Sequence, residues 1–267
     1  MKKKFKLGVI GAGFMASSII NGAILGKRIN KKQVLVSDIS SNSLEKFNKI
    51  GIKTTLDNLQ VLNNCEYVLL AVKPQNFNSI IENGANISCK KFISIMAGTK
   101  KQKIKSLIGD SLVARCMPNT PCSVGSGAVG IDVSDFSEEK DVKFITDLFD
   151  SFSKVVFVEE DKLNVVTGVS GSGPAYFYLF VKGVIDAGIE NGLSFDETKL
   201  LAVNTMIGSG KMLLNSNQPI DELISAVCSK GGTTIEAVKT YNENNLGDIT
   251  KKAINACINR AKELENL

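Results

Sequence analysis

Short apolar runs alternate with amphipathic stretches over the first 160 residues, and then the alternation stops. FKLGVI (5–10), QVLVS (33–37), YVLLAV (67–72), FISIM (92–96) and LVARCM (112–117) are nearly continuous in apolar residues, as parallel strands buried on both faces are. Helical spacing fills residues 14–25, 42–49 and 101–108 between them. A further strand pair, AVGIDVS (128–134) and KVVFV (154–158), brackets a helix near 137–152. The order predicts an α/β fold over residues 1–160: a Rossmann-like, doubly wound, mainly parallel sheet. From 161 to 267 no strand pattern remains. Residues 160–192 read as helix, apolar almost all round. Ser194 and Glu197 form a capping box for a helix reaching about Leu214, and Pro219 suits a first helical position leading to Val227. Helices at 233–242 and 248–267 complete an all-helical second domain. So short a domain has little chain of its own to cover a helix that is apolar on every side. A homodimer that interlocks these helices is the expected solution.

Composition narrows the chemistry. The 267 residues are 43% hydrophobic and 22% charged, the balance of a soluble globular protein. The net charge of +5 is modest, lysines are scattered beyond KKKFK at 2–6, and the arginines are Arg28, Arg115 and Arg260. No nucleic-acid partner is expected from that distribution. The chain has no histidine, which removes a histidine base, a serine–histidine pair and most zinc sites; no metal site is expected. Six cysteines at irregular spacing form no CxxC pair, a pattern of reduced thiols in a cytoplasmic protein. No signal peptide is read at the start, where the apolar run Leu7–Ile10 is too short. The uncharged stretch Val165–Val181 falls short of the ~20 residues of a membrane span and contains Pro174. It reads as buried protein, with no membrane partner.

Candidate chemistry gathers at strand ends. GAGFMA (11–16) follows the first strand and opens a helix. Gly11 permits the tight turn, Gly13 lets a pyrophosphate approach the backbone, and Ala16 allows close helix–strand packing. Phe14 and Met15, at the helix start, join the expected cofactor-binding set. The second strand ends at Ser37 and Asp38; an acid there accepts ribose hydroxyls and leans toward NADH. Ala71, Val72, Lys73 and Pro74 close the next strand at the same edge, with Lys73 expected over the cofactor. RCMPNTP (115–121) closes another, placing Asn119 and Thr120 toward the nicotinamide or substrate. Further on, VSGSGPAYFY (169–178) sets four small residues inside an apolar helix, where close approach must offset the cost of glycine. SKGGTT (229–234) puts bare N–H groups at a helix start, a place for a carboxylate or phosphate.

Together the glycine loop, AVKP, MPNTP, TGVSGSGPAYFY, KMLLNS (211–216) and SKGGTTIEAV (229–238) closely resemble pyrroline-5-carboxylate reductase, from Leu7 to near the C-terminus. The resemblance implies reduction of the cyclic imine 1-pyrroline-5-carboxylate to L-proline by hydride from NADPH or NADH, the last step of proline biosynthesis. It implies a nucleotide domain, a helical dimerisation and substrate-binding domain (161–267), and dimers that assemble into larger homo-oligomers. By position, Thr234 matches a threonine that hydrogen-bonds the ring nitrogen. Ser229, Lys230, Gly231, Gly232 and Thr233 lie in the loop holding the substrate carboxylate, with Lys230 where the family usually has proline. Asn58 matches an asparagine that contacts the adenosine end of NADPH in some members, which pulls against Asp38. Three alternatives stay open. A six-membered imine differs by one methylene, worth only ~1–3 kcal/mol of discrimination. A hydroxyacid dehydrogenase would need a base where this chain has Phe177 and Val181. A nucleotide sensor would bind the cofactor without turnover.

Overall fold

The computed structural model describes residues 3–80 and 87–265. The chain divides into two compact units: residues 1–174 with 257–267, and residues 175–256.

The first unit holds one sheet of eight strands: β1 (Phe5–Ile10), β2 (Val34–Ser37), β3 (Lys53–Thr55), β4 (Cys65–Leu70), β5 (Lys91–Ser94), β6 (Leu112–Pro118), β7 (Gly127–Asp132) and β8 (Ser153–Phe157). Their order is β3-β2-β1-β4-β5-β6-β7-β8. All neighbours pair parallel except β6 with β7. Between them run α1 (Phe14–Leu25), α2 (Ser41–Lys49), α3 (Asn58–Asn64), α4 (Lys101–Ile108) and α5 (Glu139–Asp150). Successive strand residues face opposite sides, and each side has its own core. Leu7, Val9, Leu69 and Ile93 pack with Ile19, Ile20 and Phe149 of α1 and α5. Ile10, Val68, Leu70 and Phe92 pack with Val61 and Ile104 of α3 and α4. Burying one such side chain contributes roughly 1.5–3 kcal/mol, so the two layers together hold the sheet and fix its register.

Ion pairs lock the β6–β7 side. Lys101 Nζ lies 2.8 Å from Asp132 and 3.1 Å from Asp135, and Lys105 pairs with Asp135 at 2.6 Å. Burial opposes a charged Lys101, but hydrogen bonds and charge from Asp132 and Asp135 win and raise its pKa. Burial likewise pushes Asp135 up, and is outweighed by Lys105, the Val113 N–H and Lys101, which hold it low. The Arg115 guanidinium, nearly buried on β6, lies 3.1 Å from both Glu160 and Glu265.

Residues 160–192 differ from the single helix expected. A 3-10 turn (Glu160–Lys162) leads to α6 (Leu163–Val166), then a π-helical turn at Thr167–Gly171, then α7 (Gly173–Glu190). The π turn falls on TGVSG, where glycine and serine weaken the α-helical ladder. The second unit continues with α8 (Phe195–Asn215), α9 (Ile220–Ala226), α10 (Thr233–Glu243) and most of α11 (Leu246–Glu265). The expected capping box of Ser194 and Glu197 starts α8. Pro219 is the N-cap of α9, one place before the first helical residue. Within residues 175–256 Thr198 alone is buried. The stretch read as buried is open in the single chain: Leu179 is 73% exposed, with Phe177 and Tyr178 also exposed. No helix among the described residues is long and apolar enough to cross a membrane.

Candidate active site

The glycine loop is built from the carboxyl ends of three adjacent strands. Gly11 N–H donates to Ser37 O (2.8 Å) and Ala71 N–H to Ile10 O (2.9 Å), which carries the ladder past the ends of β1, β2 and β4. Gly11 has φ +99°, and a Cβ on it would meet Ala71 O at 2.6 Å. Both facts demand glycine. Gly13 is different. Its φ of −70° suits any residue, and a Cβ there would meet nothing within 4 Å. Neither conformation nor packing inside the chain requires glycine at 13, and its bare backbone leaves the loop open to close approach of a ligand. Helix α1 follows with no side-chain cap and no acid in its first turn, leaving its first N–H groups available to an anion. Phe14 is 60% exposed beside them, and Met15 is half-buried. The residues present fit a dinucleotide pyrophosphate.

Asp38 and Asn58 are turned inward. Asp38 Oδ2 accepts from Ala12 N–H (2.7 Å) and Oδ1 from Ser40 N–H (2.8 Å). The carboxylate that favoured NADH in the sequence therefore braces the glycine loop and its own turn. The amide of Asn58 is likewise engaged, accepting from Ser37 Oγ (2.8 Å) and donating to Ile80 O (3.1 Å). Val72 is half-buried at the same edge, Lys73 is exposed, and Pro74 opens a 3-10 turn, Pro74–Ser79.

At the end of β6, Asn119 is buried. Its Nδ2 donates to Ser170 O (3.2 Å) in the π turn, and its Oδ1 accepts from Ala128 N–H (3.0 Å) at the start of β7. The side chain expected to face substrate thus joins three elements of its own unit. Thr120 follows it, exposed.

In the second unit, Ser229–Gly232 form a turn closed by Gly232 N–H to Ser229 O (3.0 Å). Gly231 has φ +72°, which favours glycine. Gly232 is the N-cap of α10, with no side-chain cap. The N–H groups of Thr233 and Thr234 are thus at an uncapped helix start. Ser229, Lys230, Thr233 and Thr234 are all exposed. Glu236 occupies the same first turn, where it complements the helix dipole and competes with an incoming anion; Lys230 is the cation of the loop.

All six cysteines are free. Burial pushes the Cys65 thiol up to about 12 and raises Cys89, Cys116 and Cys122 as well, so these sulfurs stay protonated and inert. Among the described residues no group of three or more cysteines and acids could hold a metal ion. A polar cleft of about 550 Å³ lies beside Glu160 and Glu265, but Arg115 already engages both acids. Sequence reasoning missed Lys46 on α2, whose Nζ lies 3.5 Å from Gly13 O. Its spacing is that of a solvated lysine, so no signal marked it.

The chain is similar to known proteins along nearly its whole length. Residues 160–264 match the family model for pyrroline-5-carboxylate reductase dimerisation, and residues 6–98 that for NADP oxidoreductase, coenzyme F420-dependent. The chain is 33% identical to a pyrroline-5-carboxylate reductase of Vibrio alginolyticus over 98% of each protein. Its fold is similar to that of a pyrroline-5-carboxylate reductase from Coxiella burnetii (TM-score 0.87, 32% identity, 98% and 99% of the two chains). It is also similar to the pyrroline carboxylate reductase of Plasmodium falciparum with NADP bound (TM-score 0.86, 28% identity, 99% and 100%). With 33% identity along nearly its whole length, the chain belongs to the pyrroline-5-carboxylate reductase family.

Proposed function

We propose that this protein reduces 1-pyrroline-5-carboxylate to L-proline with NADPH or NADH. The observation that carries the reading is the likeness to reductases of that name over 98% of the chain. When bound, the dinucleotide supplies a hydride for the C=N carbon, and the ring nitrogen keeps or gains one proton. The protein's own work is placement. Holding reacting atoms ~3–3.5 Å apart supplies much of the rate, and a protonated imine needs neither metal nor strong acid. Gly11, Gly13, Phe14 and Met15 receive the pyrophosphate at the start of α1, with Ala71–Pro74 and Thr120 along the same strand edge. Thr233 and Thr234 N–H groups, with the Ser229–Gly232 turn, hold the substrate carboxylate, and Lys230 adds positive charge. The Thr234 hydroxyl orients the ring nitrogen; water is the proton source, because a threonine hydroxyl is too weak an acid. Ser37, Asp38, Asn58 and Asn119 act one step back, fixing the strand ends that carry these groups. We further assign cofactor chemistry to residues 1–160 and substrate binding with dimerisation to 161–267, in a cytoplasmic enzyme whose dimers build a larger homo-oligomer.

The test is absorbance of the reduced nicotinamide on adding the cyclic imine. Loss of signal is expected with the five-membered imine, and faster than with its six-membered homologue. Thr234→Ala should lower turnover by roughly tenfold or more while leaving NADPH affinity intact. Unchanged kinetics would remove Thr234 from the site, and no oxidation with either imine would defeat the reading.

A further inference from the structure

The two nicotinamide dinucleotides differ by a single phosphate on the adenosine ribose, so whichever group meets that phosphate sets the preference. Asp38 holds the position at the end of β2 where a carboxylate normally selects the unphosphorylated ribose. Here both its oxygens accept from main-chain N–H groups, of Ala12 and Ser40. Across the glycine loop, Lys46 reaches from α2 until its Nζ lies 3.5 Å from Gly13 O, and the Phe47 ring lies 5.4 Å from the same ammonium. These contacts place the exposed cation beside the loop at the very residue whose missing Cβ opens on empty space. One long hydrogen bond leaves two N–H donors of the ammonium for another acceptor. Among the described residues no carboxylate pairs with Lys46; the adjacent Glu45 is taken by Lys49 at 3.5 Å. The first turn of α2 contains no acid, and the Asp38 carboxylate, just before its N-cap Ser40, is held by the Ala12 and Ser40 N–H groups.

We propose that Lys46 is the residue that selects the phosphorylated cofactor, pairing its ammonium with the ribose phosphate of NADPH while Asp38 braces the loop. This rests on the reading of the glycine loop as a dinucleotide site, and its test needs no imine. NADPH and NADH are titrated separately into the intact enzyme, followed by nucleotide fluorescence and thermal shift. Lys46→Ala should weaken NADPH roughly tenfold or more and leave NADH within about twofold, as loss of one charge-assisted contact to phosphate requires. Lys46→Arg should restore most of the NADPH affinity, and added salt should erode the NADPH advantage of the wild type. Equal weakening of both nucleotides would place Lys46 on the pyrophosphate and overturn the proposal. So would unchanged affinities, which would make Lys46 a solvated surface lysine. Failure of wild type to bind either nucleotide would sink the dinucleotide reading itself, whereas failure to reduce the imine would leave Lys46 untouched.

Discussion

Gly11 and Gly13 stand two places apart and answer to different constraints. Gly11 combines φ +99° with a would-be Cβ 2.6 Å from Ala71 O, so Gly11→Ala should cost about 1–3 kcal/mol of stability. Gly13 has neither restriction. Gly13→Ala should leave the melting temperature without nucleotide unchanged and weaken NADPH binding. Calorimetry of the two variants, with and without NADPH, separates these outcomes; a large loss of stability in the Gly13 variant would contradict the assignment. The same distinction runs through the site. Glycine spacing, strand-end acids and the SKGGTT helix start are local in the chain and can be read from it. The partners of Asp38, Asn58 and Asn119 are distant in sequence: Asn119 bonds Ser170, 51 residues away, and nothing local in MPNTP announces that its amide is already engaged.

Elements were legible in proportion to how much apolar surface they bury. The run FKLGVI predicts β1 with the bounds observed, and helical spacing does the same for α1 and α4. Strand β3 escaped, because KTT is three residues of polar edge strand with none buried. So did α3, whose NLQVLNN buries only Val61 and Leu62. The π turn at Thr167–Gly171 also escaped, since a run of glycine and serine in an apolar helix reads as a weak α-helix. Ionic ties between elements were not visible, and one of them has a measurable cost. Arg115 shares its charge between Glu160 and Glu265, 150 residues apart from the latter. Glu265→Gln should destabilise the first unit by a few kcal/mol (about 3, the low end for breaking a buried pair) and speed amide exchange at the end of α11. Unaltered exchange there would show that the pair does not anchor the helix.

For the whole molecule, charge and apolar surface set the working conditions. The lowered pKa of Asp135 means that it stabilises the fold above its unfolded value of about 3.9 and loses that contribution as pH falls through its folded pKa. Lys101 works in the opposite direction. Its raised pKa contributes fully below its unfolded value of about 10.4 and is lost only as pH rises through the folded pKa. Asp135→Asn should therefore flatten the decline of stability below about pH 4, measured by denaturant melts across the acid range; an unchanged slope would assign acid unfolding to other groups. The helical unit adds a second condition. With Thr198 as the only buried residue in 175–256, and Leu179, Leu200 and Leu214 at 73%, 66% and 83% exposure, it needs another copy to cover it. Melting temperature should rise with protein concentration, as mass action requires for a fold completed by association. Light scattering that finds only monomers at micromolar concentration would refute this. Each polypeptide is in that sense a cofactor for its twin. A copy without catalytic activity but sound along these greasy helices would still shelter a fragile neighbour, so two differently damaged versions made in one cell should complement each other.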